Sequence, residues 1–469
     1  MLKKLSFILL ILLLLDKPVF SESVSPPVKA PEINSVEPIK KKDRILILAP
    51  HPDDETIGCA GIIQQALAAG AQVKVVYLTN GDHNQFAFIV YEKRLTLRKG
   101  EFIHMGEVRR KEAIAAMKLL GLSEENLIFL GYPDFGTFTI FSQYWQGKKP
   151  FRDLLTRISS VPYKQNLSFG APYNGESILN DLKRVLVAYK PNKIFVSHPA
   201  DTNGDHRAFY LFLEVALRDL SKKIATPKIY PYLIHCATWP LPRYYHPELS
   251  LQPPRQFLNS EINWSEFRLT PEQLEKKHRA ILCYKSQTQS SAFYLLSFGR
   301  KNELFWDYPR IWIDKESSAK ERAVSFFGFS NMFADSDVGV LGGLENLKED
   351  KGRVSYSVVD DSFLIRIEKT KNLNRRFSVL VYIFGYNYKT PFAEMPKIRI
   401  ITKYKRFKVF EERKIIETSG VSTVLKSNVL ILKVPLQLLG KPEFLLTSIK
   451  VYGGALPVDV TAFRKIDIK

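Results

Sequence analysis

The stretch Arg44-Ile45-Leu46-Ile47-Leu48-Ala49-Pro50-His51-Pro52-Asp53-Asp54-Glu55 decides how the rest of the chain is read. Ile45 to Ala49 is apolar without alternation, the pattern of a strand covered on both faces. Pro50 and Pro52 then stop the strand, and the acidic residues open a turn. Gly58 to Ala69 reads as a helix of small residues, and Gln72 to Thr79 as a second buried strand ended by Gly81. Val108 to Leu120 carries apolar residues at helical spacing, and Leu127 to Leu130 reads as a strand. Ser177 to Tyr189 repeats the helix, Pro191 ends it, and Lys193 to Ser197 is another apolar strand. Such alternation predicts right-handed crossovers and an α/β, Rossmann-like, mainly parallel sheet with helices on both faces. Gly136 to Gly175, rich in aromatics and Pro, reads as a loop-rich insertion that overhangs a site.

From about Ser330 the pattern changes. Val354 to Val358, Ser362 to Glu368, Phe377 to Phe384, Ile398 to Tyr404 and Val429 to Val434 are β-patterned, with turn residues and no helices between them. They predict an all-β sandwich appended to the α/β unit. At 469 residues the chain exceeds a single core, which stops growing near 250–300 residues. The expected organisation is a signal peptide over 1–21, a Pro-rich tether over 22–42, an α/β domain over 43–329 and the β domain over 330–469. Lys3 and Lys4 precede an apolar run, Leu5 to Leu15, that falls short of the roughly 20 residues a membrane span needs. The leader therefore predicts export to the periplasm or the exterior, with a retained N-terminal anchor as the alternative.

The formal charge of +20 favours anionic surroundings such as an envelope surface. The basic residues lie in short clusters without a nucleic-acid motif, so a nucleic-acid partner is not expected. Cys59, Cys236 and Cys283 are too few and too far apart for a disulfide framework or a CxxC site.

His51 and Asp54 lie three residues apart in a tight turn where a parallel strand ends, which is where open α/β sheets bind ligands. Both can reach one metal ion. A second cluster, Ser197-His198-Pro199-Ala200-Asp201-Thr202-Asn203-Gly204-Asp205-His206-Arg207, follows a later strand at the same sheet edge. His206 from this cluster completes an open two-histidine, one-aspartate set of the kind zinc hydrolases use. Asp53 is left free to act as a general base, and Asp205 to orient a neighbouring group. Acidic turns also cap helices, and either cluster alone fits that reading equally well. His235 is read as core before pocket wall, His83 as a strand-end loop residue, and Asp134 as a substrate contact or an ordinary turn.

Pro50 to Glu55 (PHPDDE), His198 to Ala208 (HPADTNGDHRA) and the helix opened by Arg109-Arg110-Lys111-Glu112 together resemble the PIG-L/LmbE family of zinc-dependent N-acetylglucosaminyl deacetylases. The likeness runs over about Asp43 to Trp306. It implies zinc at His51, Asp54 and His206, Asp53 as base, Arg109 as a substrate contact, and an N-acetylated sugar or glycan as substrate. The chain departs from the family at Asn203, where many members carry a histidine that assists as acid or oxyanion stabiliser. His198 is the nearby candidate for that role, and Asn203 retains only a neutral hydrogen-bond donor. The C-terminal region resembles carbohydrate-binding sandwich modules more weakly, with Tyr386, Tyr388 and Tyr404 as candidate sugar-stacking faces.

Overall fold

The structure, a computed structural model, describes residues 32–84, 89–91, 93, 99–145, 149–258, 262–314, 322–325, 327–328, 352–369, 373, 377–404, 406–417, 420–454 and 456–469. The leader and the first part of the tether lie outside the described residues.

Strands β1 (Ile33–Ser35), β2 (Arg44–Ala49), β3 (Gln72–Thr79), β4 (Leu127–Tyr132), β5 (Lys193–Ser197), β6 (Lys228–Tyr232), β7 (Asn263–Arg268) and β8 (Asn302–Asp307) form one sheet. Its order is β1-β7-β8-β6-β5-β2-β3-β4, and the pairs from β6 to β4 are all parallel. That block reads β4-β3-β2-β5-β6, the doubly wound order, with the switch point between β2 and β5. Along β2, Ile45, Ile47 and Ala49 enter one core while Leu46 and Leu48 enter another, so the unbroken apolar run serves two helix layers. Helices α1 (Asp54–Ala68) and α2 (Lys99–Leu120) pack on the first face. Helices α3 (Thr137–Gln143), α4 (Gly175–Tyr189) and α5 (Gly204–Asp219) pack on the second. Later come α6 (Pro271–Ile281) and α7 (Lys285–Leu295). Gly58 sets how closely α1 lies on the sheet, since a Cβ there would stand 2.8 Å from the Tyr232 ring.

The tether expected to run to Lys42 enters the sheet earlier: β1 pairs in parallel with β7 through Ile33↔Trp264, and Val36 is buried. Three residues with few apolar side chains give no strand pattern, so this edge strand was not legible.

Two further sheets make up the C-terminal all-β region. One is ordered β10 (Arg322–Ser325), β12 (Arg353–Val359), β13 (Ser362–Glu368), β19 (Val429–Pro435), β18 (Ser422–Lys426). The other is centred on β14 (Phe377–Tyr386), β15 (Lys397–Lys403) and β20 (Phe444–Gly453), continued by β16 (Arg406–Glu411) and β17 (Lys414–Ile415) on one side and β21 (Leu456–Val460) and β11 (Phe327–Gly328) on the other, with β22 (Arg464–Ile468) paired to β20 and in parallel to β9 (Ile311–Ile313). Val354, Ile365 and Leu432 from the first face Val381, Ile400 and Ile449 from the second in one core. Because β9 and β10 belong to these sheets, the chain leaves the α/β sheet between Asp307 and Ile311, ahead of the 329/330 junction read from the sequence.

The outer face of the β14 sheet packs on α3 and α5. Phe141 of α3 meets Phe212 and Phe384 at ring-centroid distances of 4.9 and 5.2 Å, and Trp145 meets Phe392 at 4.9 Å. Lys465 pairs with Glu214 at 3.1 Å and Arg218 with Asp467 at 3.2 Å.

Candidate metal centre

All five parallel strands deliver polar residues to one edge: Pro50 to Glu55 after β2, Asn80 to Asn84 after β3, Asp134 and Phe135 after β4, His198 to His206 after β5, and His235 after β6. They surround a cavity of about 360 Å³ lined by His51, Asp53, Asp54, Asn203 and His235 among others.

His51 Nδ1, Asp54 Oδ2 and His206 Nε2 form a triangle with sides of 3.2, 3.1 and 3.3 Å. Ligands at zinc bond lengths of roughly 2.0–2.2 Å and tetrahedral angles lie about 3.3–3.6 Å apart, so the triangle fits one such ion with little adjustment. The far nitrogens of both rings face carboxylates, His51 Nε2 at 3.0 Å from Asp134 and 3.3 Å from Asp205, and His206 Nδ1 at 3.1 Å from Asp201. Carboxylates behind the rings orient the imidazoles and fix which nitrogen points inward, as metal-bound histidines require. Asp53, Asp54, Glu55, Asp134, Asp201 and Asp205 are all buried here, a concentration of negative charge that calls for a cation.

The ionisation pattern agrees. Burial alone would lower both imidazoles, but Asp134 holds His51 well above its ordinary value, and Asp201 and Asp54 push His206 up to about 9. Burial likewise opposes ionisation of Asp54, yet the two histidines hold it well below the usual carboxylate range. Without metal, protons on the rings supply the positive charge that the carboxylates demand.

Asp53 sits beside the triangle with a backbone φ of 125°, a conformation costly for a residue with a side chain. Two residues, Glu55 and Arg109, maintain it. Its N–H donates to Glu55 at 3.1 Å, and Arg109 donates to the Pro52 carbonyl at 2.7 Å and to the Asp53 carboxylate at 3.1 Å. Arg109 also donates to the Gly81 carbonyl at 3.0 Å, and a Cβ on Gly81 would stand 2.1 Å from the guanidinium. Glycine at 81 thus makes room for the arginine. Burial pushes the Asp53 carboxyl up to about 8 despite Arg109, with the charges of Asp54 and Glu55 adding to the rise.

The structure brings His51, Asp53, Asp54, Arg109, Asp134, Asn203, Asp205 and His206 together. Two of them, read as substrate contacts, are engaged otherwise. Arg109 and Asp134 line the cavity, but their polar atoms are engaged by Asp53 and the backbone and by His51 and His83, respectively, which makes them supports of the centre. Asp205 faces His51, as an orienting residue would, and accepts from the Phe135 and Thr137 backbone. His198 is placed elsewhere: fully buried, stacked on Trp306 at 3.6 Å and accepting from the Ala200 N–H, it is not among the residues lining the cavity. Burial holds it well below its ordinary value, so it is a neutral core ring and not the acid the sequence suggested. Asn203 caps α5, its side-chain oxygen accepting from the Asp205 N–H at 2.8 Å, which leaves its NH2 group to the cavity it lines. Tyr386, a candidate sugar platform, is instead buried against α5 with its hydroxyl donating to Asp219 at 3.0 Å, whereas Tyr388 and Tyr404 are exposed.

His235 is the residue sequence reading undervalued. Its ring offers a nitrogen within 4.8 Å of the donor atoms of His51, Asp54 and His206, and burial, opposed by Asp201 and reinforced by His206, pushes it down to about 4. The usable signal was its position three residues after β6, at the same sheet edge where His51 follows β2 and Asn203 follows β5.

Residues 46–217 match the family model PIG-L: GlcNAc-PI de-N-acetylase. The chain is 22% identical over 303 residues to a putative glucosamine-6-phosphate deaminase-like protein of Bacteroides thetaiotaomicron, covering 56% of this chain and 38% of the relative. It is 35% identical over 81 residues to 1D-myo-inositol 2-acetamido-2-deoxy-alpha-D-glucopyranoside deacetylase of Mycobacterium avium, covering 17% and 26%. This chain therefore spans well under half the length of those curated relatives. Among solved structures, N,N'-diacetylchitobiose deacetylase from Pyrococcus horikoshii aligns with a TM-score of 0.33 at 19% identity, over 53% of this chain and 72% of that one. A 4-carboxy-2-hydroxymuconate hydratase from Pseudomonas putida aligns with a TM-score of 0.34 at 17% identity, over 57% and 97%.

Proposed function

We propose that the protein is an exported, zinc-dependent hydrolase that removes an N-acetyl group from an amino sugar or a glycoconjugate. The observation that carries this reading is the triangle of His51, Asp54 and His206 donor atoms at a cavity wall with the Asp53 carboxyl beside it. The match of residues 46–217 to a de-N-acetylase family supports the choice of bond, as do the named activities of the deacetylase relatives. A zinc ion held by the three residues would polarise the substrate carbonyl and ease deprotonation of water. Asp53, fixed by Arg109, takes one proton from the attacking water and returns it to the nitrogen as the C–N bond breaks, giving acetate and a free amine. Asn203 offers its NH2 group to the oxygen that gains charge. A cavity of about 360 Å³ lies at the small end of ligand sites, roughly 300–1,000 Å³, and suits one sugar ring with its acyl group. Export rests on the leader Lys3 to Leu15.

The test is to load the purified protein with zinc, supply N-acetylated mono- and oligosaccharides, and follow acetate and free amine. Equal yields of both are expected. Zinc bound in full with no amine released from any of them would leave a glycan-binding protein without catalysis.

A further inference from the structure

The second cluster lacks a histidine at position 203, and the structure shows where the missing imidazole stands. His235 comes from the loop after β6, and two sets of contacts fix it to the segment that carries Asn203 and His206. The Asp201 carboxylate accepts from the Ile234 N–H at 3.1 Å and the His235 N–H at 2.9 Å while facing His206 Nδ1 at 3.1 Å. Thr202 donates its N–H to the His235 carbonyl at 3.0 Å and its hydroxyl to the same oxygen at 3.2 Å. One carboxylate therefore positions a metal-donor ring and the neighbouring backbone together.

The ring itself is held by stacking. It meets the His206 ring edge-on at 4.7 Å and lies nearly parallel to Tyr294 at 6.1 Å, whose hydroxyl donates to the Ile234 carbonyl at 2.6 Å. Among the described residues no hydrogen bond reaches either nitrogen of the His235 ring, although it lines the cavity and offers a nitrogen within 4.8 Å of a donor atom on each of His51, Asp54 and His206. A half-buried imidazole fixed this firmly, with its nitrogens unengaged, is suited to address something that enters the cavity. The geometry points to His235 as the catalytic residue that donates a ring N–H to the substrate carbonyl oxygen, beside the Asn203 amide, in place of the histidine absent from position 203.

This inference rests on the hydrolase reading for the identity of the oxygen, so the experiment includes a readout that does not need turnover. Acetate, the expected product, presents two oxygens to the centre. Its affinity for the zinc-loaded full chain should be measured by calorimetry for the unaltered protein, His235→Gln and His235→Ala, with zinc affinity measured in each by chelator competition. His235→Ala should weaken acetate binding about tenfold or more, the scale of a hydrogen bond to a charged group, and His235→Gln should recover part of it. Zinc affinity should change less than about threefold, far below the loss expected on removing a ligand. Zinc affinity falling in step with acetate affinity would make His235 a fourth metal ligand and overturn the assignment. Equal acetate affinity in all three proteins would also overturn it. Where amine release is seen, His235→Ala should lower kcat by about 100–1000-fold with KM nearly unchanged. If the unaltered protein binds acetate yet releases no amine from N-acetylated sugars, the deacetylase reading fails while the acetate comparison still decides His235.

Discussion

Two of the places where charge is buried in this molecule, the α5–β-region contact and the strand-end cluster, are built differently. Where the β region meets α5, Lys465 faces Glu214 and Arg218 faces Asp467, within the β region Lys369 faces Asp459, and the buried Lys397 is held by the Phe392 and Met395 carbonyls. At the strand ends, by contrast, carboxyls crowd together from Asp53 to Glu55 and again at Asp134, Asp201 and Asp205, with Arg109 pairing directly with Asp53. One-to-one pairing closes an interface, whereas an acidic excess beside two histidines offers the charge and donor atoms that suit a cation. Charge balance, more than burial or perturbed ionisation alone, separates the structural from the functional site.

The sharpest break of this comparison concerns the acidic turn itself. Asp54→Ala should abolish zinc binding and lower turnover by more than about 1000-fold, while Asp53→Asn should keep stoichiometric zinc and lose about 100–10,000-fold in kcat. Metal analysis beside kinetics checks both. Full zinc retention in Asp54→Ala would sink the ligand assignment, and an unimpaired Asp53→Asn would remove the general base.

At the interface a different rule should hold. Glu214→Ala leaves Lys465 in a buried setting with only Asp307, at 3.6 Å, as a nearby acid, and should cost about 3–5 kcal/mol in urea unfolding. Replacing Glu214 and Lys465 together with leucine and methionine should recover most of that loss. A double variant no better than the single one would show that these ions do more than balance each other.

The smallest effect is expected in pH dependence. In metal-free protein, burial raises Asp53 to about 8, Glu55 to about 7 and Asp82 to about 7, each above its unfolded value of 3.8 to 4.5. A carboxyl whose folded pKa is raised binds its proton more tightly when folded, so its stabilisation is complete below the unfolded pKa and lost as pH rises through the folded one. His206, raised from 6.5 to about 9, loses its contribution in the same direction above pH 6.5. The Tm of the chelated protein should therefore fall between pH 5 and 9, and saturating zinc should flatten the decline. A chelated Tm that rises over this range would show that the cluster is not frustrated without metal.

Much of this centre could be read from sequence because its ligands cluster at the ends of regular strands. Gln72 to Thr79 and Lys193 to Ser197 match β3 and β5 residue for residue, and periodicity placed both motifs at one sheet edge. What escaped was whatever depends on contacts distant in sequence. His198 belongs to the second motif yet turns into the core against Trp306, more than a hundred residues away. His235 has no motif around it and becomes meaningful only once β6 lies beside β5. Tyr386 looked like an exposed platform until α5 covered it. Backbone pattern is local, but the direction a side chain takes at a strand end is decided by its neighbours in space.

Helices α3 and α5 each have one end in the metal centre and the other against the β region. Asp205, behind His51, holds the first turn of α3 through Thr137, while Phe141 near the other end of α3 meets Phe384 of β14 and Trp145 just beyond the helix meets Phe392. Helix α5 carries Asp205 and His206 in its first turn and ends at Arg218 and Asp219, both bonded to the β region. Sixteen helical residues make a strut about 24 Å long. If an ion is held at one end, any coupling through this helix is reciprocal: what seats the β region more firmly would tighten the grip on the ion, and by the same free energy the ion would steady the β region.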